Sequence, residues 1–251
     1  MRIFALLFSL LFVNLLAADY SSRILFIGNS YLYYNDSLHN HVKRLLEEKY
    51  PNIEPEIKSA TIGGSRLSDH PFSHLINHKN HRLDMPFNYV VMQGGSYEVI
   101  NQENQNHFWQ TVKKNAELAQ ANDIETALYM THAYLPIDER YEPNLIEKIK
   151  ATYYQAAKLS NSKVMPVGIA YELAYEKDPK IKLHHPDGTH PSLLGTYLGA
   201  CVVFATLTDT NPVGLNYNYL DKVSDKDRIF LQQIAWACLL YTSPSPRDNR
   251  V

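Results

Sequence analysis

The chain is predicted to fold as an α/β protein, a three-layer α/β/α sandwich on a five-stranded parallel sheet. Two observations carry this. Short apolar runs alternate with longer segments whose apolar residues recur at helical spacing, the pattern of βαβ units and therefore of a parallel sheet. The first run, Arg23–Gly28 (RILFIG), is almost continuously apolar, as a central strand covered on both faces requires. Right-handed crossovers then put helices on both sides of the sheet. With 251 residues and 45% apolar content, the chain can bury one substantial core and reads as one domain.

The elements follow in order. After the Arg23–Gly28 strand, Leu38, Val42, Leu45 and Leu46 mark a helix over Ser37–Lys49. Ile53–Ala60 is a second strand. A helix starts after Asp69, with Pro71 at its first position, and runs to about Lys79. Tyr89–Met92 is the third strand, and Gln102–Ala121 a long helix with Trp109, Val112 and Leu118 on one side. Ala127–Met130 is the fourth strand, Asn144–Leu159 a helix and Lys163–Val167 the fifth strand. Helices over Ile169–Tyr175, Ser192–Leu207 and Lys222–Trp236 complete the pattern, with 209–221 as a surface loop. No internal repeat or interdomain linker interrupts it.

Both ends stand apart from this domain. Arg2, the apolar stretch Ile3–Leu16 and the small residues Ala17 and Ala18 before Asp19 form the layout of a secretory signal peptide over residues 1–18. The apolar part is too short to span a bilayer comfortably. The expected product is secreted or periplasmic, with no stable membrane insertion after cleavage. At the other end, residues 238–251 (CLLYTSPSPRDNRV) resemble the translation of a sequencing-library adapter read through into the reading frame. The native domain is then 19–237, with the helix before residue 238 not continuing into the tail. Cys201, inside an apolar helix, reads as a small buried hydrophobe, and no disulfide is indicated. The net charge of −2 and the mixed surface charge leave no footprint for nucleic acid.

Chemistry concentrates in two runs about 160 residues apart. Gly28-Asn29-Ser30 ends the first strand, at the carboxyl edge where open α/β sheets bind ligands. Asp187-Gly188-Thr189-His190-Pro191 holds a carboxylate and an imidazole three apart in a turn-rich segment. A serine hydroxyl is a poor nucleophile unless an imidazole takes its proton and a third group orients that imidazole. These runs supply all three parts. Tyr31, Tyr33, Tyr34 and Tyr97 cluster beside the motifs, and Tyr31, Tyr34 and Tyr97 are candidate substrate-stacking rings. Asn35-Asp36-Ser37 is a formal N-glycosylation acceptor next to Ser30.

The order of Gly28-Asn29-Ser30, Gly63-Gly64-Ser65 after the second strand, a short motif after the third and Asp187-x-x-His190-Pro191 near the end resembles the SGNH hydrolases, also called GDSL-type esterases and lipases. The resemblance spans about Ile24 to Trp236, and the run from Asp187 to Ser192 with Gly195 and Tyr197-Leu198 is its most specific part. It implies a flavodoxin-like sandwich and carboxylic ester hydrolysis without metal or organic cofactor. It also implies Ser30 as nucleophile, His190 as general base and Asp187 as orienting acid. The N–H groups of Ser30 and Gly64 become oxyanion donors. The third motif departs from the family's Gly-x-Asn-Asp. The run is Gln93-Gly94-Gly95-Ser96, with Gly95 in the Asn position, so the amide of Gln93 is the expected replacement donor. The implied substrate is a small-molecule or carbohydrate ester, with O-acetylated carbohydrate as the first expectation and lipid esters as an alternative.

Two other classes compete. His184, His185, Asp187 and His190 crowd one segment, and His70, His74 and His78 recur at a spacing of four, which a helical zinc site would use. Pro71 and the polar residues between favour a solvated face instead, with His184 and His185 at the pocket mouth. The weakened third motif would suit a non-catalytic glycan-binding module. The intact Ser30, Asp187 and His190 set favours an enzyme. The chain has no G-x-G-x-x-G, no Walker-type lysine motif and no G-x-S-x-G elbow.

Overall fold

The computed structural model describes residues 23–242, so the signal-peptide segment and most of the adapter-like tail lie outside the described residues. Five strands form one sheet: β1 (Arg23–Gly28), β2 (Glu56–Thr61), β3 (Tyr89–Gln93), β4 (Glu125–Tyr129) and β5 (Lys163–Met165). Their order is β2-β1-β3-β4-β5, and every pairing is parallel. The chain steps outward from β1 to β2, then returns to the other side of β1 for β3. The carboxyl end of β1 is therefore a topological switch point.

Both faces of the sheet are buried. Ile24 and Phe26 of β1 enter one core with Tyr89 and Val91 of β3, while Leu25 and Ile27 enter the other with Val90 and Met92. Because alternate residues serve opposite cores, neither position can be polar, which explains the unbroken apolar run. On one face lie α2 (Leu38–Lys49), α6 (Val167–Lys177), α7 (Leu193–Thr208) and α8 (Asp225–Thr242). On the other lie the short α3 (Phe72–Leu75), α4 (Gln102–Gln120) and α5 (Leu145–Ser160).

Three segments differ from the sequence expectation. A one-turn helix, α1 (Ser30–Tyr33), precedes α2, because the Asn29 side chain accepts the Tyr31 N–H and starts a turn at once. The segment from Pro71 is not one helix. α3 stops at Leu75, and a 3-10 turn over His78–His81 starts afresh where the Asn77 side chain accepts the Lys79 N–H. Finally, α8 continues through Cys238 to Thr242, since Cys238 packs in the core beside Ala235 and Ile234 and is 1% exposed. Burial pushes its thiol up to about 12, and Cys201 is buried and also raised.

The loop beside the site carries one of two runs of three consecutive positive-φ residues among the described residues, the other being Tyr219, Leu220 and Asp221. Asn35, Asp36 and Ser37, between α1 and α2, have φ of +53°, +68° and +63°. Left-handed conformations in non-glycine residues cost about 1–3 kcal/mol each and persist only where surrounding contacts hold them.

Candidate active site

Ser30 begins α1 directly beyond β1. Gly28 allows this sharp exit, because a Cβ there would lie 2.4 Å from Gln93 Oε1 and 2.7 Å from Leu32. Asn29 fixes the turn with both ends of its amide. Its oxygen accepts from Tyr31 N–H, and its nitrogen donates to the Ser65 carbonyl at 3.1 Å, tying the β1 exit to the β2 exit.

The three groups singled out in the sequence meet here. Ser30 Oγ lies 2.9 Å from His190 Nε2, and His190 Nδ1 lies 2.8 Å from Asp187 Oδ2. A carboxylate only accepts, so Nδ1 carries a proton, and in the neutral form of the ring that tautomer presents Nε2 as an acceptor to the serine. Asp187 Oδ1 also accepts the backbone N–H groups of Thr189 and His190, at 3.0 and 2.9 Å. Partial burial alone would raise the Asp187 carboxyl. These backbone donors and the His190 ring outweigh it and hold the carboxyl well below the usual range. The arrangement is an ionised acid, an oriented imidazole and a hydroxyl, all within hydrogen-bond reach.

The oxyanion side is partly as expected from the motifs. Ser30 N–H belongs to the first helical turn, where donors lack internal partners. Gly64 sits in the exposed turn after β2 at φ +69°, a conformation that suits glycine, and its N–H takes no part in that turn's hydrogen bonds. Gln93 is buried, its oxygen accepts the Asn29 N–H at 2.8 Å, and its nitrogen donates to the Gly94 carbonyl. These bonds hold the β1 exit in place beneath the serine and use the amide oxygen and one of its two N–H donors.

The tyrosines separate into different roles. Tyr31 is buried, shares a 2.7 Å hydrogen bond with Thr189 Oγ1 and meets the His190 ring edge-on, so it is support and not a substrate platform. Tyr34 lies flat on the His190 imidazole, with centroids 4.3 Å apart, and stacks on Tyr33 by its ring as well. Its closest ring contact, the parallel stack on His190, takes one face. Tyr97 is 46% exposed, with the Arg140 guanidinium 5.3 Å from its ring centre.

A layer that the motifs did not reveal lies beneath the His190 loop. Thr189 is held at its carbonyl by His132 Nε2 (2.7 Å) and at its hydroxyl by Arg140 (3.1 Å) as well as Tyr31. Arg140 is itself forked onto Asp138, at 2.9 and 2.7 Å, and lies over the Tyr134 ring. His132 is fully buried, and burial pushes its imidazole down to about 3, so it stays neutral. Since Nε2–H donates to the Thr189 carbonyl, Nδ1 is a bare lone pair without a partner. His184 is buried too, not at a pocket mouth. It donates to the Ala133 carbonyl and accepts from Tyr175. His185 is exposed, 3.2 Å from Asp187 Oδ2. The only sequence signal for this layer was polar His132 directly after an apolar strand.

The histidines at 70, 74 and 78 do not share a helix, and His70 is bonded to Ser65 Oγ at 3.0 Å. Among the described residues no three metal-ligating side chains converge. The amide of Asn35 points inward, donating to the Pro191 carbonyl and to Thr196 Oγ1.

No protein-family model and no curated protein matches the chain. Solved structures do. A DUF4886 family protein from Bacteroides uniformis superposes with a TM-score of 0.69 at 19% identity, over 87% of this chain and 94% of that one. A candidate SGNH hydrolase from Slackia heliotrinireducens gives 0.59 at 24% identity, over 74% and 98%. A catalytic mutant of an acetylxylan esterase from Geobacillus stearothermophilus gives 0.54 at 17% identity, over 74% and 93%. With its β2-β1-β3-β4-β5 parallel sheet and these neighbours, the chain has the SGNH hydrolase fold.

Proposed function

We propose that this protein is a secreted or periplasmic carboxylic ester hydrolase that works through an acyl-enzyme on Ser30. The observation that carries the reading is the continuous Ser30–His190–Asp187 hydrogen-bond chain, at 2.9 and 2.8 Å. Ser30 Oγ attacks the ester carbonyl as His190 Nε2 takes its proton. The N–H groups of Ser30 and Gly64 receive the charge that develops on the carbonyl oxygen. Asp187 holds the imidazolium, which returns the proton to the departing alcohol. Water, activated by the same imidazole, then releases the acid. With Gly95 in the third motif's asparagine position, a donor worth about 100- to 1000-fold elsewhere is either missing, making catalysis slow, or supplied by another group.

Short acyl groups on carbohydrate are the proposed substrates. The β2 and β3 loops meet backbone to backbone, since a Cβ at Gly95 would lie 3.0 Å from the Ser65 carbonyl oxygen. A long acyl chain cannot run between them. Tyr33 at the end of α1 and Ile62, Tyr97 and Ile137 on loops are exposed around the site, a surface suited to sugar rings. The acetylxylan esterase neighbour supports the same class by analogy. The non-catalytic glycan-binding reading would leave the Ser30 hydroxyl unreactive.

A nitrophenyl ester series from acetate to palmitate, with Ser30→Ala as control, tests this. Turnover of the acetate, declining with chain length and absent in the variant, is expected. Failure of every ester with the wild-type protein overturns the enzyme reading.

A further inference from the structure

We infer that Asn35 is a positioning residue that clasps the His190 loop to the nucleophile helix, and that this role excludes a glycan at the Asn35-Asp36-Ser37 sequon. The inference rests on the esterase reading above.

Tyr34 and Asn35 leave α1 side by side and grip His190 and Pro191, which are also neighbours. The Tyr34 ring covers the imidazole, and Asn35 Nδ2 donates to the Pro191 carbonyl at 2.9 Å. The second hydrogen of Nδ2 goes to Thr196 Oγ1, at 2.8 Å, in the first turn of α7. One side chain five residues after Ser30 therefore spans to the segment directly after His190. It fixes the distance between the two elements whose contact is the Ser30–His190 bond.

The other side of Asn35 is fixed as firmly. Its carbonyl accepts from His41 Nε2 at 2.7 Å, and His41, fully buried, receives the Tyr217 hydroxyl on Nδ1 at 2.9 Å. Tyr217 in turn takes Glu48 at its backbone N–H. Asp36 pairs with Arg44 at 2.7 Å. These contacts hold the three left-handed residues 35–37 in a conformation the isolated chain would avoid. The amide is thus delivered to Pro191 by a strained and braced turn, not by a flexible loop.

Both Nδ2 hydrogens are used. An N-linked sugar would replace one of them and place a bulky ring where Pro191 and Thr196 now sit. Clasp and glycan are mutually exclusive.

Asn35→Gly tests the clasp directly. Glycine accepts the positive φ more readily than asparagine, so the fold is kept while both side-chain bonds are lost. The expected result is a fall in kcat for nitrophenyl acetate of about tenfold or more, with KM changed less than threefold and cooperative unfolding retained. Ser37→Gly relieves the same turn, removes the sequon and leaves the Asn35 bonds intact. It should keep wild-type kcat. If Asn35→Gly does not fold, Thr196→Val removes one acceptor alone and should give a smaller loss of kcat. Wild-type kcat in Asn35→Gly, or in Thr196→Val should Asn35→Gly not fold, overturns the inference, as does full activity in a fraction carrying a glycan on Asn35. An inactive wild-type protein would instead refute the esterase reading beneath it.

Discussion

Tyr34 lies face to face with His190, ring centres 4.3 Å apart and planes 9° from parallel. The imidazole is thereby held on one face by an aromatic ring, at one nitrogen by Asp187 and at the other by Ser30. An electron-rich face against the ring also favours the imidazolium that the proposed attack by Ser30 would form.

Truncating that ring should therefore slow the reaction. Aromatic pairs contribute about 0.5–1.5 kcal/mol beyond burial, so Tyr34→Ala is expected to lower kcat by roughly 2- to 10-fold. Tyr34→Phe keeps the stacking and should retain most activity. Steady-state kinetics on nitrophenyl acetate checks this. Equal losses in both variants would place the effect in the hydroxyl instead.

Gln93 offers a sharp contrast between support and chemistry. Its oxygen satisfies the buried Asn29 N–H, so Gln93→Ala should destabilise the protein by about 1–3 kcal/mol in urea unfolding. The kcat of the folded fraction should fall less than tenfold. A loss of about 100-fold or more at unchanged stability is the signature of an oxyanion donor and would give it that role.

Arg140 acts through Thr189. With its fork on Asp138 and one N–H on Thr189 Oγ1, it sets the height of the turn that carries Asp187 and His190. Small misplacements of reacting groups cost up to about 100-fold. Arg140→Met is expected to lower kcat by about ten- to a hundredfold while KM moves little. Lysine should not rescue it, because a single ammonium cannot reproduce the fork. An unchanged kcat would detach the Arg140 layer from the reaction.

Buried neutral histidines predict acid sensitivity. Burial lowers His132 from 6.5 to about 3, and it lowers His184 and His41 in the same direction. Between about pH 6.5 and 3 the unfolded chain holds a proton on residue 132 that the folded protein refuses, so stability is present above 6.5 and is lost as pH falls through that window. Each such proton steepens the dependence by about 1.4 kcal/mol per pH unit. Denaturant unfolding at pH 7, 6 and 5 should show a shallower decline in His132→Asn than in wild type. Parallel declines would contradict the assignment.

Much of this was legible in the residues, for reasons that are now physical. The β1 run was readable because Ile24 and Phe26 face one core and Leu25 and Ile27 the other. Ser30, Asp187 and His190 were readable because their chemistry demands those types at those turns. The left-handed turn at Asn35 was not, since no glycine marks it and distant partners, Pro191, Thr196 and His41, enforce it. The partners of Gln93 were hidden for the same reason, since the Asn29 N–H it holds is 64 residues away. The break in the helix after Pro71 came from Asn77, whose capping preference is weaker in sequence than the spacing of Phe72, Leu75 and Ile76.

The proposed mechanism requires His190 to activate the hydroxyl of Ser30. Intact-mass and peptide mapping after treatment with a fluorophosphonate reads this directly. One adduct per molecule on the peptide containing Ser30, formed at a rate that collapses in His190→Ala, is the expected result. An unlabelled wild-type protein, or label on another residue at an undiminished rate in Ser30→Ala, would contradict it.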